Sequence, residues 1–147
     1  MGQANDDAAG DGGVRRHFEW PIRVYYEDTD ASGVVYHANY LRYFERARTE
    51  WLRALGFDQA RLATELGAVF TVVSATLAFR RPARLDDRLI ADVVVSEVRR
   101  ASLSFEQTLR REREYVASGQ FRIACVDTQG FRPRAVPSVI VADAQGD

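Results

Sequence analysis

The chain has 147 residues, 46% of them hydrophobic, with a formal net charge of −1; this is the length of one ordinary domain with enough apolar content for a core. The near-zero charge gives no general pull toward nucleic acid or an anionic membrane surface, and no apolar run approaches the ~18 residues of a spanning helix. A single thiol, Cys125, forms no internal disulfide, which fits a reducing cytoplasm, and because all 20 basic residues are arginine, lysine Schiff bases and the lysine-bearing phosphate loop are excluded.

Met1 to Gly13, rich in Gly, Ala, Asp and Asn, lacks the basic and apolar regions of a signal peptide, and residues 1–16 read as a tail. Phe18 to Tyr26 reads as a strand, with Pro21 near its start or on a sheet edge. An acidic turn follows, Glu27-Asp28-Thr29-Asp30, punctuated by Gly33. The next segment predicts a long helix from Asn39, as N-cap, to Leu55, with Gly56 as its stop. Leu41, Tyr43, Phe44, Ala47, Trp51, Leu52, Ala54 and Leu55 form a broad apolar face. Arg48 falls inside that face and Glu45 at its edge, three residues apart, so the two can pair. Phe57 to Leu66 predicts a second, short helix ended by Gly67. The period then changes to two: Ala68–Phe79, Leu89–Val98, Ser102–Leu109 and Tyr115–Asp127 predict four strands, antiparallel where the links are short. Cys125 lies in the last of them as a buried strand thiol. Pro133 and Pro137 are expected to end the regular structure, and Asp143–Asp147 reads as a second tail. The expectation is a single α+β domain over residues 17–142, an antiparallel sheet curled round a central helix.

The acidic turn is where chemistry is expected. Asp28-x-Asp30-x-Ser32-Gly33 opens like a calcium loop, but position twelve would be Asn39 and a strand precedes it. His17 and His37 are the only histidines, too few for a histidine-rich metal centre, and no metal is expected. Turn aspartates often cap backbone amides, the reading adopted for Asp28. A carboxylate beside a helix N-terminus can also act on a substrate, because unpaired N–H groups and the helix partial charge stabilise a developing oxyanion.

Val24 through Asp30, Gly33-Val34-Val35-Tyr36-His37, Tyr43 through Glu50, Pro82 through Asp87 and Pro133-Arg134-Ala135 together resemble the hotdog-fold thioesterases of the 4-hydroxybenzoyl-CoA thioesterase type. Within them, the motif is most similar to the branch associated with the Tol-Pal envelope system. The resemblance runs from about Phe18 to about Val141. It implies a hotdog fold, a five-stranded antiparallel sheet wrapped round a long helix, and hydrolysis of an acyl-CoA thioester. It implies that Asp30 is the catalytic carboxylate. His37 stands at the helix start, where a backbone N–H polarises the thioester carbonyl. There the imidazole departs from the tyrosine of the benzoyl enzymes and can assist the thiolate or a water. Tyr36 and Glu45 complete the implied catalytic set, Glu45 at a position whose acid faces the substrate ring in the benzoyl enzymes. Arg99 and Arg100 match a basic cluster that meets the coenzyme A phosphates, although its third member is Ala101 here. Arg132 and Arg134 are further candidates for that task. No cofactor is implied, since coenzyme A is part of the substrate, and an acyl-carrier protein could replace it. The resemblance also implies a homodimer joined edge to edge, often paired into a homotetramer. Two other readings stay open. One is a hydratase on the same fold, although the Asp30-to-His37 spacing differs from that of such enzymes. The other is a non-catalytic acyl-binding or envelope-associated scaffold protein.

Overall fold

A computed structural model describes residues 17–145; the tail expected over residues 1–16 lies outside them. Five strands, β1 (His17–Arg23), β2 (Ala68–Phe79), β3 (Arg88–Arg99), β4 (Ser102–Arg111) and β5 (Glu114–Asp127), make one sheet in the order β1-β3-β4-β5-β2, with every neighbouring pair antiparallel. Helix α1 (Asn39–Ala54) packs on one face of it, which is the hotdog arrangement.

The alternation in the sequence explains which face is covered. Leu89, Ala91, Val93 and Val95 of β3 and Leu103, Phe105 and Leu109 of β4 are buried against Tyr43, Phe44, Ala47, Trp51 and Leu52 of α1. The contact is largely aromatic: Trp51 meets Phe105 edge-on with centroids 5.2 Å apart, and Phe44 meets Phe121 at 5.5 Å. Gly119 makes room for the second pair, because a Cβ there would come within 2.6 Å of the Phe121 ring. Bulges between Val72 and Ser74 of β2 and between Val95 and Glu97 of β3 add local twist, which lets the sheet bend round the helix.

Several boundaries differ from expectation for identifiable reasons. Strand β1 stops at Arg23 rather than Tyr26, because Tyr26–Asp28 wind into a 3₁₀ turn and the Asp28 carboxylate accepts the Tyr25 N–H at 2.9 Å. Asn39 is not the N-cap of α1. Ala38 holds that position, and the Asn39 side chain instead donates to the Asp28 carbonyl at 2.8 Å, tying the acidic turn to the helix. The helix ends as expected, with Gly56 at φ 95°. The second helical stretch, α2, spans Gln59–Leu66 as a short α segment running into a π turn. Asp58 caps its start and Gly67, at φ 64°, closes it. Regular structure does not end at Pro137, since helix α3 (Ser138–Ala144) begins there and carries the ordered chain through the first two residues of the expected tail. The β-branched run Val139-Ile140-Val141 hides this helix from a propensity reading. What holds it is burial of Ile140 and Ala144 and the Val136 N–H, which donates to the Arg100 carbonyl at 2.8 Å.

Candidate active site

Two aspartates, two residues apart, have opposite environments. Asp28 is buried, 5% exposed, and its Oδ2 accepts both the Tyr25 N–H and the Tyr43 O–H at 2.9 Å. Burial and this carboxylate hold the Tyr43 phenol far above its usual range. Asp28 is therefore a structural cap, the role expected from the sequence. Asp30 is exposed. Its Oδ1 accepts the Ser32 N–H at 2.9 Å and the Ser32 hydroxyl at 2.5 Å, an Asx turn across the loop. The Ser32 hydroxyl, then its amide, hold the Asp30 carboxyl below the usual carboxylate range, so it is ionised at neutral pH. Its Oδ2 takes part in no hydrogen bond among the described residues, while the backbone amides of Val34 and Asp30 lie near enough to the carboxylate to lower its pKa further. Asp30 thus has one oxygen anchored and one free.

A short ladder carries the loop back to the helix. Asp30 N–H donates to Val34 O at 2.9 Å, Tyr36 N–H to Asp28 O at 2.9 Å, and Thr29 bridges Val35. Val35 N–H then donates to Ala83 O at 2.8 Å and pins the loop to the segment after β2. The chain next turns into α1, with Asn39 N–H donating to Tyr36 O at 2.8 Å and Tyr40 N–H to His37 O at 3.3 Å. The N–H groups of His37 and Ala38 meet no acceptor among the described residues, and both residues are exposed. Two free donors at the positive end of a 16-residue helix are suited to hold an oxyanion. The rings of Tyr36 and His37 lie 4.5 Å apart and form the rim of this spot.

Glu45 and Arg48 do not form the direct ion pair expected of them. Glu45 is exposed with no hydrogen bond or ion pair among the described residues. Arg48 turns inward instead: its Nη1 donates to Gln107 Oε1 at 2.9 Å, and its guanidinium stacks on Phe121 at 4.5 Å. Both residues line a cavity of about 210 Å³ between α1 and strands β2, β4 and β5. Gln107 was missed from the sequence, although it occupies an inward position between Phe105 and Leu109 where an apolar residue is the norm. Ser32 was missed as well, although Asp-x-Ser is the spacing of an Asx turn.

Arg99, Arg100 and Arg134 gather at the other end of the sheet from Asp30. The acidic loop lies by the Phe79 end of β2, where Phe79 packs on Tyr40 at 5.4 Å and the Ala83 N–H meets the Tyr40 hydroxyl at 3.2 Å. The arginines lie by the Ala68 end, where Ala68 pairs with Asp127 and Arg134 N–H donates to Cys125 O at 3.0 Å. The 12 residues of β2 separate the two groups, about 35–40 Å of strand. Arg99 is partly engaged by Glu97 at 3.1 Å, and Arg134 donates to the carbonyls of Leu66 and Ala135, whereas the exposed Arg100 side chain has no bonded partner among the described residues. A separate polar cluster on the outer face of the sheet joins His17, Glu19 and Asp92. Arg110 bridges it, 2.9 Å from Glu19 and 3.1 Å from Asp92, so a cation already serves those carboxylates.

Comparison with known proteins gives this geometry its context. The model of a family described as the thioesterase-like superfamily matches residues 24–143. The chain is 46% identical over 125 residues to the acyl-CoA thioesterase YbgC of Haemophilus influenzae, covering 85% of this chain and 92% of that protein. It is also 46% identical over 127 residues to the acyl-CoA thioester hydrolase YbgC of Escherichia coli O6:H1, covering 86% and 94%. A solved structure from Bartonella henselae, described as a probable thioesterase, is similar with a TM-score of 0.80 at 34% identity, covering 83% of this chain and all of that one.

Proposed function

Starting from a chain that belongs to the thioesterase-like superfamily and is a thioesterase, we propose that it hydrolyses acyl-CoA with Asp30 as the reacting carboxylate and the first amides of α1 as the oxyanion site. The thioester carbonyl oxygen accepts hydrogen bonds from the N–H groups of His37 and Ala38. One such donor is worth about 3 kcal/mol of barrier. The free oxygen of Asp30 then attacks the carbonyl carbon, expelling coenzyme A thiolate and leaving a mixed anhydride that water opens. In the alternative route the carboxylate takes a proton from a water that attacks instead. Both routes end in a carboxylic acid and the free thiol. The His37 imidazole stands at the same spot to protonate the departing thiolate, Tyr36 packs against it, and Glu45 faces the acyl group. The reading calls for no cofactor. The observation that carries it is the pairing of an ionised carboxylate having one free oxygen with two unpartnered helix-start amides on one short ladder.

The active unit is a homodimer. Strand β2 is an edge strand with Val73 52% exposed, and an edge of that length invites pairing. Antiparallel pairing of β2 with the β2 of a second copy sets the Ala68 end of one chain beside the Phe79 end of the other. This supports contact of Arg99, Arg100 and Arg134 from one subunit with the coenzyme A phosphates of a thioester held at the other subunit's Asp30. Arg100, with its fork free, leads that contact. Dimers pair further into a tetramer, an acyl-carrier protein can present the same thioester, and the setting is the cytoplasm beside the Tol-Pal system. Among the described residues, no helix is long and apolar enough to cross a membrane.

Release of free thiol from a panel of acyl-CoA thioesters, read with a colorimetric thiol reagent, is expected to exceed the uncatalysed rate many-fold. A protein that binds the panel without releasing thiol is a carrier or scaffold. Single-turnover hydrolysis in heavy-oxygen water separates the routes: label in the Asp30 carboxylate marks attack, and its absence marks the base route.

A further inference from the structure

The cavity between α1 and the sheet holds a cation that the protein leaves largely unserved. Arg48 has five N–H donors, and among the described residues a single hydrogen bond is formed, from Nη1 to Gln107 Oε1. That acceptor is fixed from behind. Gln107 is 1% exposed, and its Nε2 donates to the Phe44 carbonyl at 3.0 Å, so its oxygen is the atom left to face Arg48. The Phe121 ring holds the guanidinium plane from one side. Burial pulls the Arg48 guanidinium down to about 10, still charged at neutral pH, and the nearby Glu45 charge only partly offsets this. No carboxylate lies within ion-pairing distance among the described residues, and Glu45 remains exposed on the rim. Around this cation the walls combine Phe70, Leu103, Phe105 and Ile123 with the polar Thr49 and Gln59, and Glu45 stands at the mouth. A fixed, partly desolvated, underpaired guanidinium in a partly apolar cleft is costly for the empty protein and is well shaped to take a carboxylate through two parallel N–H···O bonds.

We propose that this cavity receives the far end of the acyl chain and that Arg48 selects acyl groups ending in a carboxylate, that is, CoA monothioesters of dicarboxylic acids. The inference rests on the thioesterase reading above and names the substrate class of that same site. The distance fits a chain of medium length. Arg48 lies ten residues after Ala38, about 15 Å along the helix axis, and its side chain leans back toward the helix start. A diacyl chain of roughly six to ten carbons, both carboxyl carbons counted, spans that gap.

The test compares matched pairs of thioesters, adipyl- with hexanoyl-CoA and suberyl- with octanoyl-CoA, by kcat/KM for thiol release. The wild-type protein is expected to favour the carboxylate-ended member of each pair by about tenfold or more. Arg48→Met is expected to reverse the order, slowing the carboxylate-ended thioester and speeding the apolar one. Arg48→Lys keeps the charge and loses the planar fork, so it serves if the methionine variant fails to fold and is expected to cut the preference severalfold. Wild-type preference for the apolar member of both pairs overturns the proposal, and so does an equal loss on both members in either variant. Failure to hydrolyse any member at all overturns instead the thioesterase reading beneath it.

Discussion

Asp30→Asn is expected to leave the protein folded and to remove at least about a thousandfold of its kcat on every acyl-CoA it accepts, the scale of a lost base or nucleophile. The geometry explains why the two effects separate. Asp30 is exposed, and its one anchored oxygen accepts from Ser32. An asparagine carbonyl accepts the same bonds and keeps the Asx turn. What is lost is the charge on the second, free oxygen. The neighbouring aspartate gives the opposite result. Asp28→Ala strips the acceptor from the Tyr25 N–H and the buried Tyr43 hydroxyl, at a cost of about 3 kcal/mol or more in stability. Urea unfolding of the two variants beside their turnover distinguishes the roles. An Asp30→Asn protein with wild-type turnover removes Asp30 from the mechanism.

Val73→Glu is expected to yield a monomer with turnover reduced at least tenfold. Val73 lies near the middle of β2 (Ala68–Phe79), on the exposed edge of the sheet. In a two-fold antiparallel pair the middle residue of one strand faces that of the other, so the substitution sets two like charges opposite each other. Within the chain the change is mild: Val73 sits at the bulge, outside the ladder between β2 and β5, and is half exposed. Loss of turnover therefore reports the loss of the partner subunit rather than of the fold. Sedimentation shows the oligomeric state, and the same samples give the rate. A monomer as active as the wild type contradicts a site built from two chains.

The fold was legible because its signals are local and regular. Period-two runs located β2 to within its terminal residues, and the broad apolar face of α1 called for a sheet wrapped round it. Departures arose where a side chain reaches a backbone group that sequence spacing does not reveal. Asp28 draws the chain off β1 early, and Asn39 ties the turn rather than capping the helix. Helix α3 escaped notice because burial of Ile140, not propensity, holds a β-branched segment helical. Candidate site residues on the loop and helix start could be named as a set because one contiguous motif, Val24 through His37, carries the family resemblance. The position of Arg99, Arg100 and Arg134 relative to Asp30 could not, since it depends on which end of a long strand each loop joins. Gln107 and Arg48 illustrate the same limit: their contact spans 59 residues of sequence and exists only once β4 lies under α1.

The most direct test is a crystal structure of the Asp30→Asn dimer bound to an unreactive ketone analogue of an acyl-CoA. The account predicts the ketone oxygen about 3 Å from the amide nitrogen of His37 or Ala38, with the residue 30 side chain beside the carbonyl carbon. A carbonyl bound elsewhere, with those two amides facing bulk water in every subunit, contradicts it.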